Sequence, residues 1–519
     1  LLTALILSAA DAGNTLWAYP TPRNRPRQLV VPTVYQERNL WKVMQDTVRS
    51  WQVLANPIPH ADWQDSSSST PGIYRFQGRM KALELIPNGE HFSAVIMTIP
   101  RPNQAFWTLS ALWTGWIWGK EAASPIRKVL SRQRYDWNWH TNALMGIFEE
   151  LNTSAFANTK LWGLVAENEP MFLLSTLLAA GAAGLRLQTY AQSIDDELAQ
   201  CAWESKSDSI IMTKPDLNNQ AAREVINFYL HEKGEPASYE QVHAAAVTGL
   251  AQKDKLVVQT FEDNRNQFAS ETQKWIEIPF QDQDFLERVS GGAVSLESGQ
   301  WWLSKDQNTK PALIDRLEKC IFEYLLKVQI TTAQEVKQMA FQAFPGLLTP
   351  TDSELLNCLE SYAELVDKAE HRWQLRETEI PFHRQQDLQD VENSLKHIAH
   401  RLNYHASGSK PMVWHDPKEP TVKYCFYILI SAEISETLRY PELLSQINFL
   451  VLPGSRSNLL AFKKQRNPVF GSLVDERFQV VKFRLIRDLE ANPLLNRELF
   501  IEQIRVDPPE YRTSQLALF

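Results

Sequence analysis

The fold of the first part of the chain is predicted from residues 92–119, FSAVIMTIPRPNQAFWTLSALWTGWIWG. Residues 92–98 form a compact and mostly apolar run, which is typical of a strand buried on both faces of a parallel sheet. A proline-rich turn follows, and the apolar spacing over residues 104–119 predicts a long helix. This stretch therefore predicts one strand–turn–helix element of an α/β sheet.

Strands and helices continue to alternate downstream. Pro170 suits the first turn of a helix, where its missing N–H is not needed, and Gly184 suits the end of the same helix. Because such alternation implies right-handed parallel crossovers, residues 1–204 are predicted to form a doubly wound sheet domain. The predicted elements are strand 73–76, helix 139–151, strand 160–166, helix 171–183 and strand 185–190.

The proline-rich turn is the first candidate site. Open α/β sheets bind ligands at the carboxyl ends of their strands, and Pro100 and Pro102 preset the backbone there. Such a turn leaves carbonyl groups free to accept hydrogen bonds from an amine, and Phe106 and Trp107 are candidates to stack on a base. The more ordinary interpretation of the aromatic residues on this helix, Trp113, Trp116 and Trp118 above all, is that they belong to the core.

This stretch resembles motif IV of the DNA amino-methyltransferases, which methylate the exocyclic amine of adenine or cytosine. The preceding Gly78-Arg79 and Pro87-Asn88-Gly89 follow the order typical of that group, and residues 100–119 and 134–139 look like a bacterial branch of methylase-like proteins. The resemblance covers about residues 1–204. It implies a methyltransferase-like sheet, S-adenosylmethionine as cofactor and a target base flipped out of DNA.

The family motif reads Asp-Pro-Pro-Tyr, and the matching positions here are Thr98, Ile99, Pro100 and Arg101. The resemblance implies that Thr98 accepts the hydrogen bond of the target amine. It also implies that the base lies against Pro100 and Arg101, with Asn103 in the same turn. Threonine is a poorer acceptor than the family's aspartate, whereas arginine can replace tyrosine in stacking.

The family's glycine-rich cofactor loop, Phe-x-Gly-x-Gly, has no counterpart beside a strand in residues 1–204. The chain begins with Leu1 and an apolar run without a basic flank, so we expect the numbering to begin inside a longer protein. Two hypotheses follow from the resemblance. The chain is an active S-adenosylmethionine-dependent methyltransferase, or it is a non-catalytic DNA-binding subunit of a bacterial modification or anti-phage defence assembly.

Two helical units, residues 205–305 and 306–380, follow the first domain, and each ends in a predicted hairpin that carries tryptophan. Helices followed by a small hairpin resemble winged helices, which commonly bind DNA through a helix and the wing. Lysine and arginine do not form a stripe along one of these helices. Protein docking or a structural role is therefore an equally good prediction for these units.

Residues 381–519 are predicted to form a small α/β domain with the most basic stretch of the chain. Only Asp475 and Glu476 are acidic within residues 456–487, so the stretch predicts a face that contacts phosphate groups, with a solvated helix face as the alternative. Its eight basic residues are Arg456, Lys463, Lys464, Arg466, Arg477, Lys482, Arg484 and Arg487.

Composition excludes several other classes of protein. The formal charge of −8 and the isoelectric point near 5.9 argue against wrapping of nucleic acid by global charge. No apolar run reaches 18 residues, so no membrane span is predicted. The four cysteines form no Cys-x-x-Cys pair, which predicts free thiols in a reducing, cytoplasmic setting and no metal site. A protein-interaction scaffold without nucleic acid is the third hypothesis that this composition allows.

Overall fold

The computed structural model describes residues 2–13, 37–52, 60–62, 72–76, 93–100, 104–130, 136–152, 159–167, 169–195, 198–205, 219–256, 267–292, 295–305, 310–368, 370–418, 421–438 and 447–505. The chain divides into two compact units. Unit 1 comprises residues 1–192, 196–221 and 247–277, and unit 2 comprises residues 193–195, 222–246 and 278–519. Within the described ranges, no helix combines the length and the apolar composition that a membrane span requires.

Unit 1 contains a mixed sheet with helices before and between its strands, which confirms the α/β class. The bounds of its elements are α1 Leu2–Ala12, α2 Leu40–Gln52, β1 His60–Asp62, β2 Ile73–Arg75, β3 Ala94–Thr98, α3 Gln104–Trp118, α4 Ser124–Leu130, α5 Trp137–Leu151, β4 Lys160–Val165, α6 Pro170–Ala182, β5 Leu185–Ser193 and β6 Leu198–Ser205.

Local signals set the helix ends in unit 1. Asp136 caps α5 by accepting a hydrogen bond from the Trp139 amide, and Pro170 occupies the first turn of α6 as predicted. After α6 ends, Gly184 adopts a φ of +81°, a conformation that glycine reaches at no steric cost. Helix α6 is apolar on all sides and buried along most of its length, so it packs as a core helix.

The sheet of unit 1 differs from the predicted doubly wound parallel sheet. Among the described strands the order is β3-β4-β6-β5; β3 and β4 are parallel, but β6 pairs with β4 in the antiparallel sense. The prediction overlooked β6, which follows β5 after a short connection and inserts between β5 and β4. A strand joined to its predecessor by a short connection pairs antiparallel, because a parallel crossover needs a dozen or more residues.

Burial of β3 on both faces is also wrong for the described residues. Exposed and half-buried residues alternate along β3, and Ile96 is 77% exposed beside its partner Trp162 on β4, which is 41% exposed. The opposite face carries the buried Leu161, Val165 and Trp203. The described part of the sheet therefore buries one face, as alternating strands do.

Two consecutive segments, residues 219–303 and 313–375, share one layout of helix, short strand, helix, helix and hairpin. The short first strand pairs with the last strand of the hairpin in both, which gives the sheet orders β7-β9-β8 and β10-β12-β11. The bounds of the elements are α7 Asn219–Lys233, β7 Ala237–Ser238, α8 Tyr239–Gln252, α9 Phe268–Gln281, β8 Leu286–Ser290, β9 Gln300–Leu303, α10 Leu313–Leu325, β10 Thr331–Thr332, α11 Ala333–Ala343, α12 Asp352–Tyr362, β11 Ala363–Asp367 and β12 Arg372–Leu375.

Sequence patterns predicted most of these elements. Thr332 and Glu335 form the capping box that begins α11, and Thr351 and Glu354 form the one that begins α12. The same patterns predict that residues 253–258 lead into a strand and that a helix spans residues 351–368, and they predict no helix over residues 268–281. Residues 253–256 instead form turns, and residues 257–258 lie outside the described residues. Helix α9 spans Phe268–Gln281, and α12 ends at Tyr362 because β11 pairs with β12 from Ala363 onward.

The last part of unit 2 is a three-layer α/β arrangement around a sheet of order β13-β14-β15-β16-β17 in the described residues. Strands β15, β16 and β17 are parallel, and β13 and β14 form an antiparallel extension. The bounds are α13 Pro381–Arg401, β13 His405–Ser407, β14 Met412–His415, β15 Val422–Ile428, α14 Ser435–Leu438, β16 Ile447–Leu452, α15 Ser457–Arg466, α16 Pro468–Arg477, β17 Gln479–Lys482, α17 Phe483–Ala491 and α18 Arg497–Gln503.

Alternate residues of β16 pack in two different hydrophobic clusters. Phe449 and Val451 belong to a cluster with residues of α13, α17 and α18, whereas Leu450 and Leu452 belong to a cluster with residues of α14, α15 and α16. Because side chains alternate between the two faces of a strand, each face of this sheet is covered by its own set of helices.

Candidate functional site

The predicted proline-rich turn, residues 98–103, begins at the carboxyl end of β3. Thr98 and Pro100 are exposed, whereas Ile99 between them is buried and donates its amide to the Leu164 carbonyl at 2.8 Å. Arg101, Pro102 and Asn103 lie outside the described residues. The proline-rich turn is therefore anchored to β4 through Ile99, the position that matches the first proline of the methyltransferase motif. The side chains of Thr98 and Pro100 on either side of it face solvent.

A close contact within the sheet holds this anchor. Gly163 on β4 has no side chain, and a Cβ atom there would lie 3.2 Å from Ile99 Cδ1 and 2.6 Å from the Trp203 ring. Ile99 and Trp203 consequently pack directly against the backbone of β4. Since Thr98 is aligned with Leu164, the carboxyl ends of β3 and β4 open onto the same edge of the sheet.

The predicted aromatic residues do not gather into one stacking surface. Phe106 lies within α3, and its side chain is outside the described residues; Trp107 is half-buried. Further along α3, Trp116 is 71% exposed and Trp118 is 58% exposed, which corrects the expectation that they belong to the core. Tryptophan spacing alone predicted a buried stripe, but the described neighbours leave this side of α3 open.

The predicted basic face of residues 456–487 is not formed, because its central cations point into the protein. Arg456 is fully buried, Lys463 is 1% exposed and Lys482 is 3% exposed. A cation that contacts DNA phosphate must be accessible, since its energy comes from displacing the counterions of the nucleic acid. Arg456, Lys463 and Lys482 are therefore corrected from candidate phosphate ligands to buried cations of unit 2.

Lys463 lies at the centre of a buried polar cluster between α10 and α15. Its Nζ donates to Asp315 Oδ1 at 2.6 Å, to Glu318 Oε2 at 2.5 Å and to the Ala432 carbonyl at 2.9 Å. Glu318 also accepts from the Tyr362 hydroxyl at 2.5 Å. One ammonium group thus compensates two carboxylates, and each carboxylate has further donors.

The pKa values in this cluster follow from burial and from these pairings. Burial opposes the charge of Lys463, but the carboxylates of Asp315 and Glu318 outweigh it and raise the Lys463 pKa above its usual value. Burial also raises the Glu318 pKa, but Lys463 outweighs this effect and lowers it overall. Glu433 lies beside the cluster; burial and the negative charges of Glu318 and Asp315 raise its pKa to about 7.

Arg456 forms a second buried cluster. Its guanidinium donates to Glu379, to the Ser361 carbonyl at 2.6 Å and to the Ile430 carbonyl at 3.2 Å. The same group lies 3.5 Å above the centre of the Tyr362 ring. The planar guanidinium uses both its donors and its face here, which a lysine could not reproduce.

Arg466, at the end of α15, forms a third cluster with Glu235 at 2.7 Å and with Glu354. Burial lowers the Arg466 pKa, but these two carboxylates outweigh it and raise the pKa overall. Nearby Lys233 donates to Gln241 at 2.8 Å, and burial lowers its pKa to about 8 against the opposing effect of Glu235. Arg466 therefore has structural partners in place of phosphate.

Two other cations of the predicted basic face, Lys464 and Arg484, differ in their exposure to solvent. Lys464 is half-buried and pairs with Asp475 at 2.5 Å, and Arg484 is exposed on α17.

The carboxylates that pair with the buried cations, Asp315, Glu318 and Glu379, were not predicted from the sequence. Each precedes its cation by 77 to 148 residues, so no local motif connects them.

No group of metal-ligating side chains occurs among the described residues, and the four cysteines are free. The chain matches no protein-family model, no curated protein and no solved structure.

Proposed function

We propose that the chain is a methyltransferase-like protein that binds DNA without catalysing methyl transfer, as part of a bacterial modification or anti-phage defence assembly. The observation that carries this proposal is the layout that residues 219–303 and 313–375 share. In both segments a short strand between two helices joins the hairpin that follows the third helix. This layout resembles that of a winged helix, a module of DNA-bound assemblies that contacts DNA or another protein subunit.

The distribution of charge favours the C-terminal α/β region for contacts with DNA. Residues 219–303 contain 13 acidic and 7 basic side chains, whereas residues 381–505 contain 14 acidic and 17 basic ones, of which Arg384, Arg456, Lys463 and Lys482 are buried. The remaining charges of residues 381–505 are close to balance, so this region repels DNA phosphate less than the acidic segment does, and we assign the DNA contacts to its accessible cations. The acidic winged-helix-like segments are then available to dock other protein subunits.

Fluorescence anisotropy of labelled duplex DNA with the complete chain, at several salt concentrations, tests this proposal. The pair formed by Lys464 and Asp475 supplies matched variants. Lys464→Glu should weaken binding and Asp475→Lys should strengthen it, each altering the salt slope by about one unit in opposite directions. Absence of salt-dependent binding, or an equal effect of both variants, contradicts DNA binding through this region.

An active methyltransferase is the second candidate function, because Thr98 and Pro100 are exposed at the carboxyl end of β3, beside the parallel strand β4. The described residues of unit 1 contain no glycine-rich turn directly after a strand, so none of them fits the role of holding S-adenosylmethionine. Calorimetric titration of the complete chain with S-adenosylmethionine tests this candidate, and absence of heat at high ligand concentration excludes it.

A further inference from the structure

The carboxyl edge of the parallel strands β15 to β17 contains a crevice between β16 and β17. The chain leaves β16 toward α15, which covers one face of the sheet, and leaves β17 toward α17, which covers the other. Adjacent parallel strands whose connections depart to opposite faces leave an opening outside their ends, and open α/β sheets bind ligands at such openings.

A cleft of about 590 Å³ occupies this position in unit 2. Its volume is within the range of small-molecule sites. Gly454 lines it, and beyond its two chain neighbours no residue has an atom within 4 Å of the place where a Cβ atom would be. The lining residues come from the turn before α13, from α13 itself, from the loop after β16 and from α17: Glu377, Thr378, His383, Arg384, Gln386, Asp387, Asp390, Pro453, Gly454, Ser455, Phe483, Arg484 and Arg487.

Two carboxylates beneath this cleft are paired with arginines. Glu379 accepts from Arg456 and Arg384, and Ser455 Oγ donates to it at 2.9 Å. Asp387 accepts from Arg384 at 2.7 Å and from Arg487. Three guanidinium groups therefore surround two carboxylates.

The two sides of the cleft differ in charge. Arg484 and Arg487 are exposed on the α17 side, next to Phe483 at the start of that helix. Glu377 and Asp390 are exposed on the opposite side, which His383 also lines. Anionic groups suit the arginine side, and hydroxyl or amine donors suit the acidic side.

We propose that this cleft binds a nucleoside phosphate, with the phosphate on the Gly454, Arg484 and Arg487 side and the sugar or base on the Glu377 and Asp390 side. A free nucleotide and the phosphorylated end of a nucleic-acid strand present the same chemistry. The site does not depend on duplex binding by Lys464, so either proposal can fail while the other stands.

Calorimetric titration of the complete chain separates the two sources of this ligand. The probes are ADP, adenosine, and a single-stranded oligonucleotide with and without a 5′-phosphate. Tighter binding of ADP than of adenosine, by roughly tenfold or more, supports a free nucleotide. Selective binding of the 5′-phosphorylated strand supports a strand end. Equal binding of the phosphorylated and unphosphorylated forms in both pairs, or no binding of any probe, overturns the proposal.

Three variants locate the binding. Arg484→Glu should weaken it by roughly tenfold or more, because it replaces a charge-assisted hydrogen bond with repulsion. Gly454→Val should do the same by filling the cleft while it leaves every arginine in place. Lys396→Glu makes the same change of charge at an exposed position on α13 outside the cleft, and it should bind as the unaltered chain does. Equal binding by the Gly454 variant, or equal loss in the Lys396 variant, overturns the assignment.

Discussion

Lys463 and Asp315 form an ion pair of 2.6 Å although 148 residues separate them, and both side chains are almost fully buried. Glu318 shares the same ammonium group. The pair connects α15 to α10, which is the first helix of the segment 313–375. A residue predicted to meet phosphate thus holds two parts of unit 2 together.

Removal of this cation should be strongly destabilising. Lys463→Met leaves Asp315 and Glu318 buried without their common partner, and breaking a buried pair in this way costs about 3–5 kcal/mol of unfolding free energy. Lys464→Met, at the next position, loses only a pair with the exposed Asp475 and should cost below about 1 kcal/mol. Urea unfolding of both variants measures the difference. Similar midpoints for the two would contradict the burial of Lys463.

Glu433 should make stability depend on pH. Its pKa is about 7 in the folded chain against an ordinary value of 4.5, so the folded state favours the protonated form. The stabilisation is therefore complete below about pH 4.5 and is lost as the pH rises through about 7. Glu433 is half-buried, so solvent screening reduces the effect to the order of 1 kcal/mol.

Glu433→Gln isolates this contribution from those of the other titratable groups of the chain. The variant should be more stable than the unaltered chain at pH 8, and the advantage should shrink as the pH falls toward 5. Chemical unfolding across this range measures both curves. Curves that run parallel would show that Glu433 has an ordinary pKa.

Gly163 should tolerate no side chain while Trp203 keeps its place. The Cβ atom of Gly163→Ala would lie 2.6 Å from the Trp203 ring, so the substitution should cost about 1–3 kcal/mol through overpacking. The cost should be smaller when Trp203→Phe removes part of that ring, and a double-mutant cycle measures the coupling. Gly146→Ala is the control, because its Cβ meets open space at an exposed position of α5 and should stabilise by about 0.4–1 kcal/mol. Additive effects of the Gly163 and Trp203 changes would contradict the contact.

The cysteines should differ in reactivity. Cys201, Cys358 and Cys425 are buried, and burial raises the pKa of all three thiols, that of Cys425 to about 11. Cys320 is half-buried, so we expect a thiol reagent at pH 8 to modify it first and slowly in the native chain. All four should react in denaturant. Rapid modification of more than one native thiol would contradict the packing.

Local patterns predicted those elements whose ends are set by nearby residues. Pro170 and Gly184 lie at the two ends of α6, because prolines and glycines act within one turn of the backbone they control. Strand β6 was not predicted, because its residues lie where the first predicted domain, residues 1–204, was expected to end. Its place between β4 and β5 depends on partners that the local sequence does not reveal.

The α/β class and the two helical segments could be predicted from the sequence, because both depend on short-range order. The burial of Arg456, Lys463 and Arg466 in ion pairs depends on tertiary contacts. A count of basic residues cannot separate a DNA-binding face from a buried network, because the compensating carboxylates come from distant segments. Whether a cation faces solvent is decided only when folding brings those segments to it.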